Sequence, residues 1–144
     1  MAGKFDANYY DAVKWSDKFK SFKVTIAASA NQWKTIWTPA SGKKFRLKGG
    51  IINAMVSTLL GSGTAGDPIC LFEGAASSIP IVPFGAIVAT NDAAGTRYAT
   101  GFSFDLKEGY LASAADAVLT VGTNTAMTGS SAILAMGIVW GTEE

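Results

Sequence analysis

A chain of 144 residues is long enough for one domain around one hydrophobic core. Only 16% of its residues are charged, against roughly 25% in an average soluble domain, while 49% are hydrophobic. A small monomer of that composition would have difficulty covering itself, so either a neutral Ser, Thr, Ala and Gly surface or burial against other subunits is required, and burial is the expectation.

The charge is unevenly placed. Residues 1–48 carry ten of the twelve Lys and Arg and three of the eleven Asp and Glu. The two parts can pair inside one fold, or the basic part can meet an acidic surface on a neighbour. Specific nucleic-acid binding is not expected, because the lysines are spaced out and the overall charge is only +1.

Residues 1–21 differ in pattern from the rest of the chain. Phe5, Tyr9, Tyr10, Val13, Trp15 and Phe19 are separated by Lys and Asp without strand alternation. Disordered tails are depleted in aromatics, so this segment is expected to dock as an arm, helical or extended, on its own domain or on a neighbour. The start lacks the uninterrupted apolar run of a signal peptide or membrane span, and the apolar run around Ile79–Ala89 is too short to span and contains Pro80, Pro83 and Gly85.

From Phe22 a period of two begins, the mark of a strand with one buried face. Phe22, Val24 and Ile26 alternate with Lys23 and Thr25, and Asn31–Gln32 suggests a turn. Trp33–Trp37 reads as a second strand, and Thr38–Gly42 as a loop. In Lys44–Lys48, Phe45 and Leu47 point inward and leave a basic outer face of Lys44, Arg46 and Lys48, next to Lys43. Gly49–Gly50 permits a bend or a bulge, and Ile51–Leu60 favours another strand. The glycines of Leu60–Pro68 make the clearest loop. It lacks the Gly-Lys-Ser/Thr of a phosphate loop, and nothing predicts a helix behind it.

Ile69–Glu73 reads as a short strand in which Cys70 is a buried thiol. Ser77–Thr90 reads as an edge or bent strand, since Pro80 and Pro83 cannot donate to a ladder. After a turn at Asn91–Gly95, Tyr98–Leu106 alternates clearly. Phe102, Phe104 and Leu106 face the core, Ser103, Asp105 and Lys107 face water, and Glu108–Gly109 turns the chain. Asp116–Val121 and Ser131–Trp140 complete the domain. The last strand is apolar on both faces, with Leu134, Met136, Ile138 and Trp140 on one and Ile133, Ala135, Gly137 and Val139 on the other. One face serves the core. The other, with its small residues, needs a second cover, for which a subunit interface is a candidate.

Eight or nine strands without a long helix predict an all-β, antiparallel two-sheet sandwich over residues 22–144, with a jelly roll as a candidate strand order, an immunoglobulin-like order as the alternative despite the absent Cys…Trp…Cys spacing, and 1–21 as an N-terminal arm.

Catalytic chemistry is sparse. Without histidine, Ser/His/Asp and Cys/His catalysis are excluded as usually built, and one cysteine leaves zinc without a ligand set. The acid pairs Asp105 and Glu108, Asp67 and Glu73, and Asp92 and Asp116 read as turn and surface carboxylates. Calcium at Gly66–Asp67 or Asn91–Asp92 has no EF-hand spacing behind it. The expectation is therefore a non-enzyme with no cofactor and no metal.

The runs TPASGKKFRLKGG, FSFDLKEGY, ASAADAVLTVGTNTAM and AMGIVWGTEE resemble, in style rather than by a specific motif, the capsid decoration (cement) and fibre-associated β-sandwich proteins of tailed bacteriophages. The resemblance covers residues 33–144. It implies a trimeric structural protein of the virion, bound to the major capsid protein or another virion protein, with neither membrane nor catalytic site. On this reading the protein decorates and stabilises a phage capsid. The interface candidates are Phe5, Tyr9, Tyr10, Trp15, Phe19, Lys43, Lys44, Arg46, Lys48, Leu134, Met136, Ile138 and Trp140. The alternative is a tail-fibre or carbohydrate-binding module that stacks sugar on Trp33, Trp37 or Tyr110.

Overall fold

A computed structural model describes residues 18–27, 33–58, 67–74, 79–87, 99–123 and 132–144. Eight strands account for most of them: β1 (Lys18–Ala27), β2 (Trp33–Trp37), β3 (Phe45–Thr58), β4 (Asp67–Glu73), β5 (Ile79–Ile87), β6 (Ala99–Leu111), β7 (Leu119–Thr123) and β8 (Ala132–Glu143). They form two four-stranded antiparallel sheets, ordered β1-β8-β3-β6 and β2-β7-β4-β5. The sheets stack as a sandwich, with β1 meeting β2 along one side and β5 meeting β6 along the other.

The inward positions are those that the alternation selects. The first sheet contributes Ile26, Phe45, Leu47, Ile52, Ile133 and Val139, and the second contributes Trp37, Ile69, Leu71, Val82, Leu119 and Val121. Burying each such side chain stabilises the fold by about 1.5–3 kcal/mol before chain entropy is counted. Phe102, Phe104 and Leu106 lie on the inner face of β6, half-buried and packed against this core, while Ser103 and Asp105 are exposed. Cys70 is a buried thiol, and β5, with Pro80 and Pro83, is an edge strand of its sheet. The loop at Leu60–Pro68 lies outside the described residues up to Gly66, as does the turn at Asn91–Gly95.

Several boundaries differ from the sequence reading: β7 begins at Leu119 rather than Asp116, β8 runs on to Glu143 rather than ending at Trp140, and β4 begins at Asp67 rather than Ile69. Strand β1 starts at Lys18 rather than Phe22, because Phe19 and Lys20 already pair with Trp140 and Val139. The glycine pair at 49–50 does not divide two strands. Strand β3 runs through it, with a register shift between Leu47 and Gly49 against both β6 and β8. Nor does Glu108–Gly109 turn the chain. Gly109 takes φ +77° inside β6, a conformation open to glycine, and pairing resumes at Tyr110 and Leu111.

On β8 the small-residue face serves the core rather than awaiting a second cover, and the interface candidates stand on the other face. Ile133, Ala135 and Val139 are buried in the core, and the half-buried Leu134, Met136, Ile138 and Trp140 point outward. Glycine is required at two positions of that face, since a Cβ at Gly137 would strike the Ile51 carbonyl oxygen and one at Gly141 the Arg46 carbonyl oxygen of the paired β3.

Candidate functional site

The outer face of the β1-β8-β3-β6 sheet carries a continuous run of apolar side chains. Its residues follow from the register. Phe19, Trp140 and Gly49 stand side by side on neighbouring strands, and then come Ser21, Ile138, Ile51 and Ser103. The next row is Lys23, Met136, Asn53 and Gly101, and beyond it Thr25, Leu134 and Met55. Phe19 is 60% exposed and Ile51 49% exposed, values at which an apolar side chain gains little from folding. The Trp140 ring lies across β3, since a Cβ at Gly49 would meet it at 2.5 Å. The second sheet behaves differently. Every residue from Ile69 to Glu73 and from Leu119 to Thr123 is buried, so β4 and β7 are covered on both faces.

The basic run Lys43–Lys48 sits at one end of the sandwich, and part of it is engaged within the fold. Arg46 makes a bidentate pair with Glu144, Nε to Oε1 at 2.5 Å and Nη2 to Oε2 at 3.1 Å, and donates from Nη1 to the Glu108 carbonyl. This bond holds the Glu144 carboxyl below the usual range and raises Arg46. Lys44 Nζ donates to the Ser113 carbonyl at 2.8 Å. Lys43 is exposed and Lys48 half-buried. The basic and acidic parts of the sequence therefore meet inside one fold at Arg46 and Glu144.

A second polar node is internal. Glu73, 4% exposed, ends β4 and accepts from Tyr110 Oη at 2.6 Å, from the Ser113 backbone N–H at 2.8 Å and from the Ser113 hydroxyl. Burial alone would raise its pKa, but the bonds from Ser113, Tyr110 and the Ser113 and Ala114 backbone outweigh it and hold the carboxyl below its ordinary value. Burial and the Glu73 charge push the Tyr110 phenol from 10.0 to about 12. The reading of Glu73 as a surface carboxylate is thus corrected, since its partners lie on β6 and just beyond. A carboxylate held so firmly ionised is a weak proton acceptor, and the node's evident work is tying β4 to β6. Glu108 is exposed. Exposed Asp116, at φ 64°, uses Oδ1 to accept from Gly42 N at 2.7 Å and ties two turns together.

Of the sugar-stacking candidates, Trp37 is 1% exposed, tilted against Phe45 with ring centroids 5.9 Å apart, and donates from Nε1 to Glu143 at 3.0 Å. That bond, first among the causes, lowers the Glu143 carboxyl. Tyr110 is half-buried, with its hydroxyl on Glu73. Trp33 is half-buried. These three do not form an open aromatic platform. Among the described residues, no three of His, Cys, Asp and Glu gather as a metal site.

Of the interface candidates, Phe19, Leu134, Met136, Ile138 and Trp140 come together on one face, and Lys43, Lys44, Arg46 and Lys48 lie beside the Glu144 end of the sandwich. Phe5, Tyr9, Tyr10 and Trp15 lie outside the described residues. Sequence reasoning missed Ile51, Met55 and Phe19's partnership with Trp140. The signal available was the alternation of β3 against Ile52 and Ala54. No protein-family model matches the chain, and no curated protein matches it significantly.

Proposed function

We propose that this protein is a bacteriophage capsid decoration protein, a homo-oligomer, with three copies favoured, that binds the major capsid protein or another virion protein and stabilises the shell. The observation that carries the reading is the pairing scheme. Strands β1·β8, β2·β7, β3·β6 and β4·β5 pair as the rungs of one long folded hairpin, and β3·β8 and β4·β7 pair where that hairpin rolls over on itself. That scheme supports a jelly-roll order for the sandwich, an architecture frequent in viral capsid proteins. The stylistic resemblance to phage decoration proteins points the same way, as does the open apolar face. In this reading the basic N-terminal part of the chain bridges capsomers.

The test is to add the purified protein to shells of the parent virus that lack it. It should co-sediment with the shells, raise their melting temperature and appear by cryo-microscopy as density on the capsid. Density confined to the tail, or no co-sedimentation, would refute the proposal.

A further inference from the structure

At one end of the sandwich the two sheets are joined by a row of rings with a carboxylate at each flank. The even-numbered strands end there and the odd-numbered strands begin there. Trp37, Phe45 and Tyr110 follow one another, with ring centroids 5.9 and 6.4 Å apart. Trp37 of the second sheet donates from Nε1 to Glu143 of the first at 3.0 Å. Tyr110 of the first sheet donates from Oη to Glu73 of the second at 2.6 Å. The two bonds therefore cross between the sheets in opposite directions, on either side of one shared and fully buried ring, Phe45.

We propose that Glu73 and Glu143 form an acid-released clasp, so that this end of the sandwich opens ahead of the rest when the two carboxylates are protonated. Each makes its cross-sheet bond as a charged acceptor, and a neutral acceptor holds such a bond about half as strongly. The groups that face Glu73 are the Tyr110 hydroxyl, the Ser113 hydroxyl and the backbone N–H groups of Ser113 and Ala114. Those that face Glu143 are Trp37 Nε1, the Ala40 backbone and, from β1, Lys20 and Lys18. Burial raises the Glu73 carboxyl, but its bonds outweigh burial, while the Trp37 bond leads the lowering of Glu143. Both folded values are depressed, so both contributions are present above the ordinary carboxylate range and are lost as pH falls through the folded values. Two observations confine the effect to this end. Among the described residues Glu73 is the one buried carboxylate, so the core away from the ring row has none to protonate. The nearby Arg46–Glu144 pair is partly exposed and joins two strands of the same sheet, so weakening it leaves the sheets joined.

Native-state hydrogen exchange of the full chain, read by NMR as protection factors corrected for intrinsic exchange, tests the clasp. On going from neutral pH to about pH 3, below the ordinary carboxylate range, the Ser113 N–H on Glu73 and the Gly74 N–H on the Val118 carbonyl should lose protection. Their loss should be tenfold or more beyond that of the strand amides around Ala54 and Ala135, further along the sandwich. Glu73→Gln and Glu143→Gln should each lower protection at neutral pH on both flanks of the ring row, read at the Ser113 N–H and at the Trp37 indole N–H. The double variant should lose little more in acid, and Asp105→Asn, on the exposed outer face, should change neither flank. An equal acid loss along all strands overturns the inference, because it means general destabilisation. So does a Glu143→Gln variant that frees the Trp37 indole but leaves the Ser113 N–H fully protected, because the two bonds would then act independently.

Discussion

Glu73 ties the end of β4 to β6 and the segment just beyond it. Its carboxylate takes hydrogen bonds from Tyr110 and Ser113 at a site nearly closed to water. Glu73→Gln should therefore cost about 1.5–3 kcal/mol, the range for bonds to a charged acceptor, because one amide group cannot accept everything the carboxylate accepts. The pH dependence has two arms. The folded pKa of Glu73 is depressed, so its contribution is present above the unfolded carboxylate value and is lost as pH falls through the folded value. The folded pKa of Tyr110 is raised to about 12, so its contribution is present below 10.0 and is lost as pH rises toward 12. Urea titrations across pH should show a plateau that falls on both sides. Glu73→Gln should flatten the acid side and Tyr110→Phe the alkaline side, and unchanged curves would refute the node's role. Gly137 makes a second residue-level demand. Gly137→Ala would drive a methyl into the Ile51 carbonyl of β3, which cannot rotate aside as a side chain can. A loss of about 1–3 kcal/mol, typical of overpacking, is expected from the same titrations.

Strands β3, β6 and β8 carry the first sheet, and β6 offers the cleanest test of its register. Phe104 faces inward above Gly50 and Val139, while Asp105 faces out. Phe104 is only half-buried, so Phe104→Ala should cost about 2–3 kcal/mol, below the 3–5 of a fully enclosed ring. Asp105→Ala should cost the isolated fold less than about 0.5 kcal/mol. Equal losses in chemical denaturation would mean that the faces are exchanged. This alternation was legible in the sequence because polar residues marked the wet face. On β8 it was not, since both faces are apolar and the local sequence does not say which of them the second sheet covers. The continuity of β3 and β6 was hidden for a related reason. Glycine at 49–50 and 109 is the same local signal whether the chain turns or merely bulges, and only the paired strands decide. Glu73 could not be read as buried because its partners are 37 and 40 residues away in sequence.

At the scale of the whole molecule, the two sheets differ in what they leave uncovered, and the N-terminal segment begins where the open sheet ends. Strand β1 is an edge strand, and its first outward residue, Phe19, pairs with Trp140. The boundary for any truncation is thus Lys18, not Phe22. Deleting residues 1–17 should leave β content and denaturation midpoint nearly unchanged by circular dichroism, because every described strand remains whole. Deleting residues 1–21 should lower stability, because it strips Lys18–Ser21 from their pairing with Ile138–Gly141. On the decoration reading, the shorter deletion should also weaken binding to shells by tenfold or more, since Phe5, Tyr9, Tyr10 and Trp15 are the side chains best suited to anchor an arm. Lys4 and Lys14 are offset by Asp6, Asp11 and Asp17, so attraction at long range would be slight. Raising salt should then reduce binding only moderately, because screening acts on exposed charges and not on apolar burial. A folded 18–144 fragment that binds shells at full strength would remove the arm from the attachment, leaving it to the exposed Lys43 and its neighbours beside Glu144. In that case salt should weaken binding steeply, and the same titration separates the two modes of attachment.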